Sequence, residues 1–330
     1  MNFDEITNDI LDKGTGRFVG PETWARCATH LCDSGARLYE LGRMLTSGAP
    51  QSPFATPTGI TSEATRGAPG TVHAHNGERL NGGLTQQGTH LDALGHFGVL
   101  PDAWDGHEPF PAAQVTYFGG LSQHEVKPNP DAPLARLGVD SVPPVLTTAV
   151  LLDASAYLAD GEMLEPGREI GRADITSMLD AQGLGHRGIL PGDALLIHTG
   201  WGARWGDPDD GTYYRSGPGL SRLGAEFIAD FQPALVALDN PFTDPVCEGQ
   251  IDGQHEPPPG MLPNAPFGTH HQNLVQAGIL QIQNMYLSGL ARDRVFLSCF
   301  MVLPLLIKGA SGSPVRPIAI GSPSASARAT

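Results

Sequence analysis

Seven short apolar runs, strand-like in composition and separated in several places by helical patterns, narrow the fold of this 330-residue chain more than any other feature. They are Val115–Phe118, Val145–Leu152, Ala194–His198, Ala234–Leu238, Ile279–Met285, Val295–Val302 and Val315–Ile320. A helix is expected from Pro21, with Trp24, Cys27, Leu31, Leu38 and Leu41 at loosely helical spacing. Asp174 is placed to cap a helix over Ile175–Gln182 that Gly183 closes, Ser221 to cap Arg222–Asp230, and Thr269 to cap His270–Ala277. Strands alternating with helices predict a mixed α/β sheet. No composition break divides the chain. Residues 1–70 read as an N-terminal helix followed by an extended arm or lid, because Thr46 to Gly70 is rich in Pro, Ser, Thr and Gly. Residues 71–321 read as the main domain and 322–330 as a disordered polar tail.

The segment Gln86-Gln87-Gly88-Thr89-His90-Leu91-Asp92-Ala93-Leu94-Gly95-His96 carries the chemistry. Extended, it would send residues 86, 90, 92 and 96 to one face. An imidazole and a carboxylate two apart on that face can grip one divalent ion, and Gln86 can add a carbonyl oxygen. His96, beyond Gly95 where the chain can bend, is better placed to move protons. His-x-Asp by itself is weak evidence, since twelve histidines make roughly one such pair expected by chance.

The longer pattern Gly-Thr-His-x-Asp-x-x-x-His resembles the signature of the cyclase family of metal-dependent hydrolases, which includes kynurenine formamidase and isatin hydrolase. Gly192-Asp193-Ala194-Leu195-Leu196-Ile197-His198-Thr199-Gly200-Trp201, Ala237-Leu238-Asp239 and Gly312-Ser313-Pro314-Val315-Arg316 resemble three further family segments in the same order. The resemblance runs from about Leu84 to Ile320. It implies an α/β fold of the swivelling β/β/α type, a single domain with a mixed β-sheet in a homodimer or homotetramer. It also implies one bound divalent metal ion, Zn²⁺ or Mn²⁺, with Gln86, His90, Asp92 and His271 on metal positions and His96 on that of the general acid/base. Gln283 falls where the family has a Glu, so it is a candidate for a second metal or for substrate. His270 adjoins His271 and either could face the metal; the spacing to Gln283 favours His271. Gln86 and Gln283 replace a His and a Glu, and a neutral amide is a weaker donor than either, which favours one ion over two and makes Mn²⁺ a serious rival to Zn²⁺.

The activity so implied is hydrolysis of a small-molecule substrate, a cyclic amide, lactone or formamide, by metal-activated water. A metal-assisted lyase or cyclase acting on a polyketide-like carbonyl is the second reading, and a metal-free binding protein the third. The formal net charge of −15 argues against nucleic acid. The longest apolar run, Val295 to Ile307, is too short to span a bilayer, so a cytoplasmic protein with no membrane partner is expected. Four cysteines do not amount to a disulfide framework, and Cys27 and Cys32 read as partly buried thiols. His73 and His75 read as a solvated loop, and His198 as a hydrogen-bonded core histidine.

Overall fold

The computed structural model describes residues 3–46, 48–206, 211–256, 261 and 264–324. Its centre is a nine-stranded mixed sheet. Across the sheet the strands are Arg37–Glu40, Ile318–Gly321, Leu297–Val302, Val145–Asp153, Ala194–His198, Leu235–Leu238, Leu280–Gln283, His90–Asp92 and Gly312–Pro314. The four strands from Val145–Asp153 to Leu280–Gln283 run parallel, and every pairing outside them is antiparallel.

Successive strand residues point to opposite faces, and here both faces are covered. Ala149, Leu151, Ala194, Leu196, Leu235 and Ala237 join one core, whereas Val150, Leu152, Leu195, Ile197, Val236 and Leu238 join the other. The second core lies under the helices Arg172–Ala181 and Arg222–Ala229, through Ile175, Met178, Ala225 and Ile228. Ser221 caps the second of these, accepting from Gly224 N–H at 2.9 Å. Asp174 caps from inside the first: its carboxylate accepts Gly171 N–H at 2.9 Å, so the helix starts three residues earlier than expected.

Three local expectations fail for identifiable reasons. The helix from Pro21 stops at Leu31, because Asp33 turns the chain by accepting Gly35 N–H, and Leu38 then lies in an edge strand. Val115–Phe118 makes only two isolated bridges, from Thr116 to Val99 and to Ser122, since Gly119 and Gly120 both adopt positive φ and end the extended run. Cys27 is not a thiol; it is joined to Cys299, tying the Pro21–Leu31 helix to the Leu297–Val302 strand, while Cys32 is exposed and free. Residues 59–81 form two small two-stranded sheets whose side chains are mostly exposed. The tail expected to be disordered lies outside the described residues beyond Ser324. Among the described residues, no helix is long and apolar enough to cross a membrane.

The His90–Asp92 strand depends on Leu91, fully buried in the first core, to fix which way its neighbours point. Leu91→Ala is therefore expected to cost about 2–5 kcal/mol in urea unfolding; a loss below about 1 kcal/mol would contradict this account of the strand.

Candidate metal centre

The site grows out of strand alternation. On the Leu280–Gln283 strand, Leu280 and Ile282 enter the first core; on His90–Asp92, Leu91 does. Gln281, Gln283, His90 and Asp92 are left on the opposite face, and the antiparallel register sets Gln281 beside Asp92 and Gln283 beside His90. All four are buried. The neighbouring strand supplies Gly312 opposite Asp92, where a Cβ would lie 2.7 Å from Leu91 O and 2.9 Å from Gln86 Nε2.

His90 is oriented from behind. Gly88 adopts φ +62°, which aims its carbonyl at His90 Nδ1, 2.8 Å away. That carbonyl also accepts the Asn284 amide at 2.7 Å, and Asn284 in turn accepts the Tyr213 hydroxyl. Since Nδ1 must donate to a carbonyl, Nε2 carries the lone pair, and it lies 3.7 Å from Asp92 Oδ1. His96 Nε2 lies 3.8 Å from the same oxygen. Asp92 Oδ1 is buried and accepts no hydrogen bond. Burial pushes the Asp92 carboxyl up, but His96, His270 and His90 outweigh it and hold its pKa at about 2. An ionised, buried oxygen without a donor, flanked by two imidazoles, suits a divalent cation: donors around such an ion stand about 3–3.5 Å apart, close to the spacings here.

The other carboxylate oxygen has a different setting. Gln283 Nε2 donates to Asp92 Oδ2 at 2.8 Å and lies 3.0 Å from His270 Nε2. His270 Nδ1 is hydrogen-bonded to Asp244, whose second oxygen accepts Thr269 N–H at 2.5 Å. Burial lowers the His270 pKa, but Asp244 and Asp92 overcome it and raise the ring to about 9. A cation beside Asp92 would relieve that pull. Asp92, His96 and His270 each offer one donor atom within 4.8 Å of the others.

Here the structure corrects the spacing argument: the histidine facing Asp92 is His270, and His271 points away. Neighbours on a helix are roughly 100° apart. His271 instead bonds Gln276 and lines an outer groove with Trp104 and Phe110. Thr269 does not cap; it lies inside the Gly268–His270 turn, which continues as a π-helix over His271–Ala277. Gln86 also departs from expectation. It belongs to a 3₁₀ turn, its carbonyl oxygen accepts the Thr85 hydroxyl at 2.6 Å, and its amide lies near Ser311 and His96. His96 likewise sits in a 3₁₀ turn, so residues 86 and 96 reach the site by bends and not by strand parity.

A cavity of about 320 Å³ opens over these groups, lined by Gln86, His90, His96, His270 and Gln283 and walled by Phe54, Phe97, Tyr214, Phe242 and Phe267. Tyr214 sits in the 3₁₀ turn Thr212–Tyr214. The other four walls come from separate loops, and nothing in the local sequence marks them. The roles of Asp244 and Asn284 were equally hidden, being set by long-range contacts. His198 is the satisfied histidine expected, 2.8 Å from Asp153, and His73 and His75 are exposed in the small sheets of residues 59–81.

The family model described as putative cyclase matches residues 39–245, more than half of the chain. The chain belongs to the putative cyclase family. Its structure is similar to the crystal structure of a cyclase, with 25% identity over 94% of both chains and a TM-score of 0.74. The cyclase-family fold extends to isatin hydrolase A from Ralstonia solanacearum, at 21% identity, 92% of this chain, 98% of that one and a TM-score of 0.58. A predicted metal-dependent hydrolase from Bacillus stearothermophilus shares it at 17% identity, 87% and 99% coverage and a TM-score of 0.50. No curated protein matches the sequence.

Two variants test the ion site. Asp92→Ala is expected to abolish Mn²⁺ binding in calorimetry. Asn284→Leu, which frees the carbonyl that orients His90, should weaken it about 10–100-fold; unchanged affinity in both would rule the site out.

Proposed function

We propose that the protein is a metal-dependent hydrolase that opens a cyclic amide or lactone, or cleaves a formamide, in the aromatic cavity above Asp92. One observation carries the reading: a buried, ionised Asp92 oxygen without a hydrogen-bond donor lies 3.7 Å from His90 and 3.8 Å from His96, both of which line the cavity. His90 Nε2 and Asp92 Oδ1 would hold one divalent ion, Zn²⁺ or Mn²⁺. When bound there, such an ion supplies Lewis acidity and lowers the pKa of water from 15.7 towards about 7.

The remaining work falls to the chain's own side chains. Burial lowers the His96 pKa, so its ring is neutral near pH 7 and ready to accept a proton at Nε2 on the cavity side. The same nitrogen then delivers that proton to the leaving nitrogen or oxygen. In the neutral ring the hydrogen sits on Nδ1, and Gln86, whose nearer atom is an amide nitrogen 3.5 Å away, contacts the ring without hydrogen-bonding it. Phe54, Phe97, Phe242 and Phe267 present flat apolar surfaces that orient a ring-shaped substrate and exclude bulk water. The cavity lies at the small end of ligand pockets, which suits a substrate of one or two rings.

The test is turnover of phthalimide, dihydrocoumarin and N-formylaniline in water enriched in oxygen-18. At least one should give a product carrying the heavy oxygen. EDTA should abolish turnover, and Mn²⁺ or Zn²⁺ should restore it. His96→Ala should keep the ion yet lower kcat about 10²–10⁴-fold. No bound divalent ion and no rescue by either metal would refute the proposal.

A further inference from the structure

We infer that the side-chain amide of Gln283 stands in for a second cation, bridging Asp92 and His270 so that the centre takes one ion, on the Oδ1 side of Asp92. The inference rests on the metal-hydrolase reading for that one ion, and on hydrogen-bond chemistry for the amide.

The geometry leaves one assignment. Asp92 Oδ2 and His270 Nε2 are 3.7 Å apart, a spacing two ligands of one ion could take, and Gln283 Nε2 lies 2.8 Å from the first and 3.0 Å from the second. A carbonyl oxygen cannot face an ionised carboxylate at 2.8 Å, so the group placed there must be the NH₂, whose two hydrogens match the two acceptors. Asp244 and Asp92 favour a charged ring in the ion-free site, but an Nε2–H would meet the amide hydrogens at 3.0 Å; paired with the amide, His270 Nε2 accepts and its ring hydrogen sits on Nδ1, which faces Asp244. Asp244 is fixed in turn by Thr269 N–H and is fully buried. Every partner along Asp244, His270, Gln283 and Asp92 Oδ2 is thereby satisfied, whereas Oδ1 is not. Two N–H groups supply the positive ends that a second cation would otherwise bring, and they do so without charge. On this account Gln283 is a positioning residue that holds the Asp92 carboxylate, and His270 is its anchor and not a ligand of the ion.

Mn²⁺ titration followed by metal analysis and electron paramagnetic resonance tests this. The wild-type protein should bind one equivalent with the six-line spectrum of an isolated ion. Gln283→Glu, nearly isosteric but unable to donate, should bind two and show an exchange-coupled spectrum. A second variant covers failure of the first to fold: His270→Ala should still bind one equivalent, within about 100-fold of wild-type affinity, because in this scheme its ring touches the amide and not the ion. Two equivalents in the wild type, one in folded Gln283→Glu, or loss of the ion in His270→Ala would each overturn the inference. No ion in the wild type but one in Gln283→Glu would keep the amide's role and sink the metal-hydrolase reading; no ion in either would overturn both.

Discussion

An ionised carboxylate in a fully buried position must find compensation, and the whole centre is arranged around that requirement at Asp92. Leaving one charge unpaired in a protein interior costs several kcal/mol. Oδ2 is met by the Gln283 amide, and the surrounding histidines keep the group ionised, but Oδ1 meets no donor. A side chain so placed is stable only when something positive completes it. This is why the carboxylate points to a cation, and why His90 and His96 gain meaning from their distance to one oxygen.

The sheet makes that arrangement affordable in structural terms. Along the parallel strands Val145–Asp153, Ala194–His198 and Leu235–Leu238 apolar side chains cover most of both faces. Toward one side, on Leu280–Gln283 and His90–Asp92, alternation keeps Leu91, Leu280 and Ile282 in the core and turns four polar side chains to the other face. The aromatic cluster of Trp201, Tyr213, Tyr214 and Phe242 covers that face from nearby loops. Family-like residues outside the centre serve this scaffold. Asp239 accepts Thr199 N–H and Oγ1–H together with the N–H groups of Gly200 and Gly202, and so holds the loop that carries Trp201. Asp193 does the same for Leu190 N–H and Arg187.

Much of this was legible in the chain itself. The long central strands announce themselves as apolar runs, and the mixed α/β sheet follows from their alternation with helices. Gly88-Thr89-His90-x-Asp92 marks the centre because its parts are local: a glycine that aims a carbonyl, a histidine and a carboxylate two residues apart. Illegible were the features decided by contacts across the fold. Whether His270 or His271 faces inward depends on how a helix seats against distant strands, and the spacing to Gln283 chose the wrong neighbour. Asp244 and Asn284 act on residues 26 and 196 positions away. Cys27 finds Cys299 across 272 residues. Gln283 showed its address in the sequence but not its orientation, since only the neighbouring carboxylate decides which end of an amide turns inward.

The most direct test of the central claim is the anomalous scattering of manganese in a crystal of the wild-type protein. The account predicts one ion within about 2.0–2.2 Å of Asp92 Oδ1 and His90 Nε2, with the Gln283 amide still on Oδ2. Manganese lodged between Oδ2 and His270, or none at all near Asp92 at saturating concentration, would contradict it.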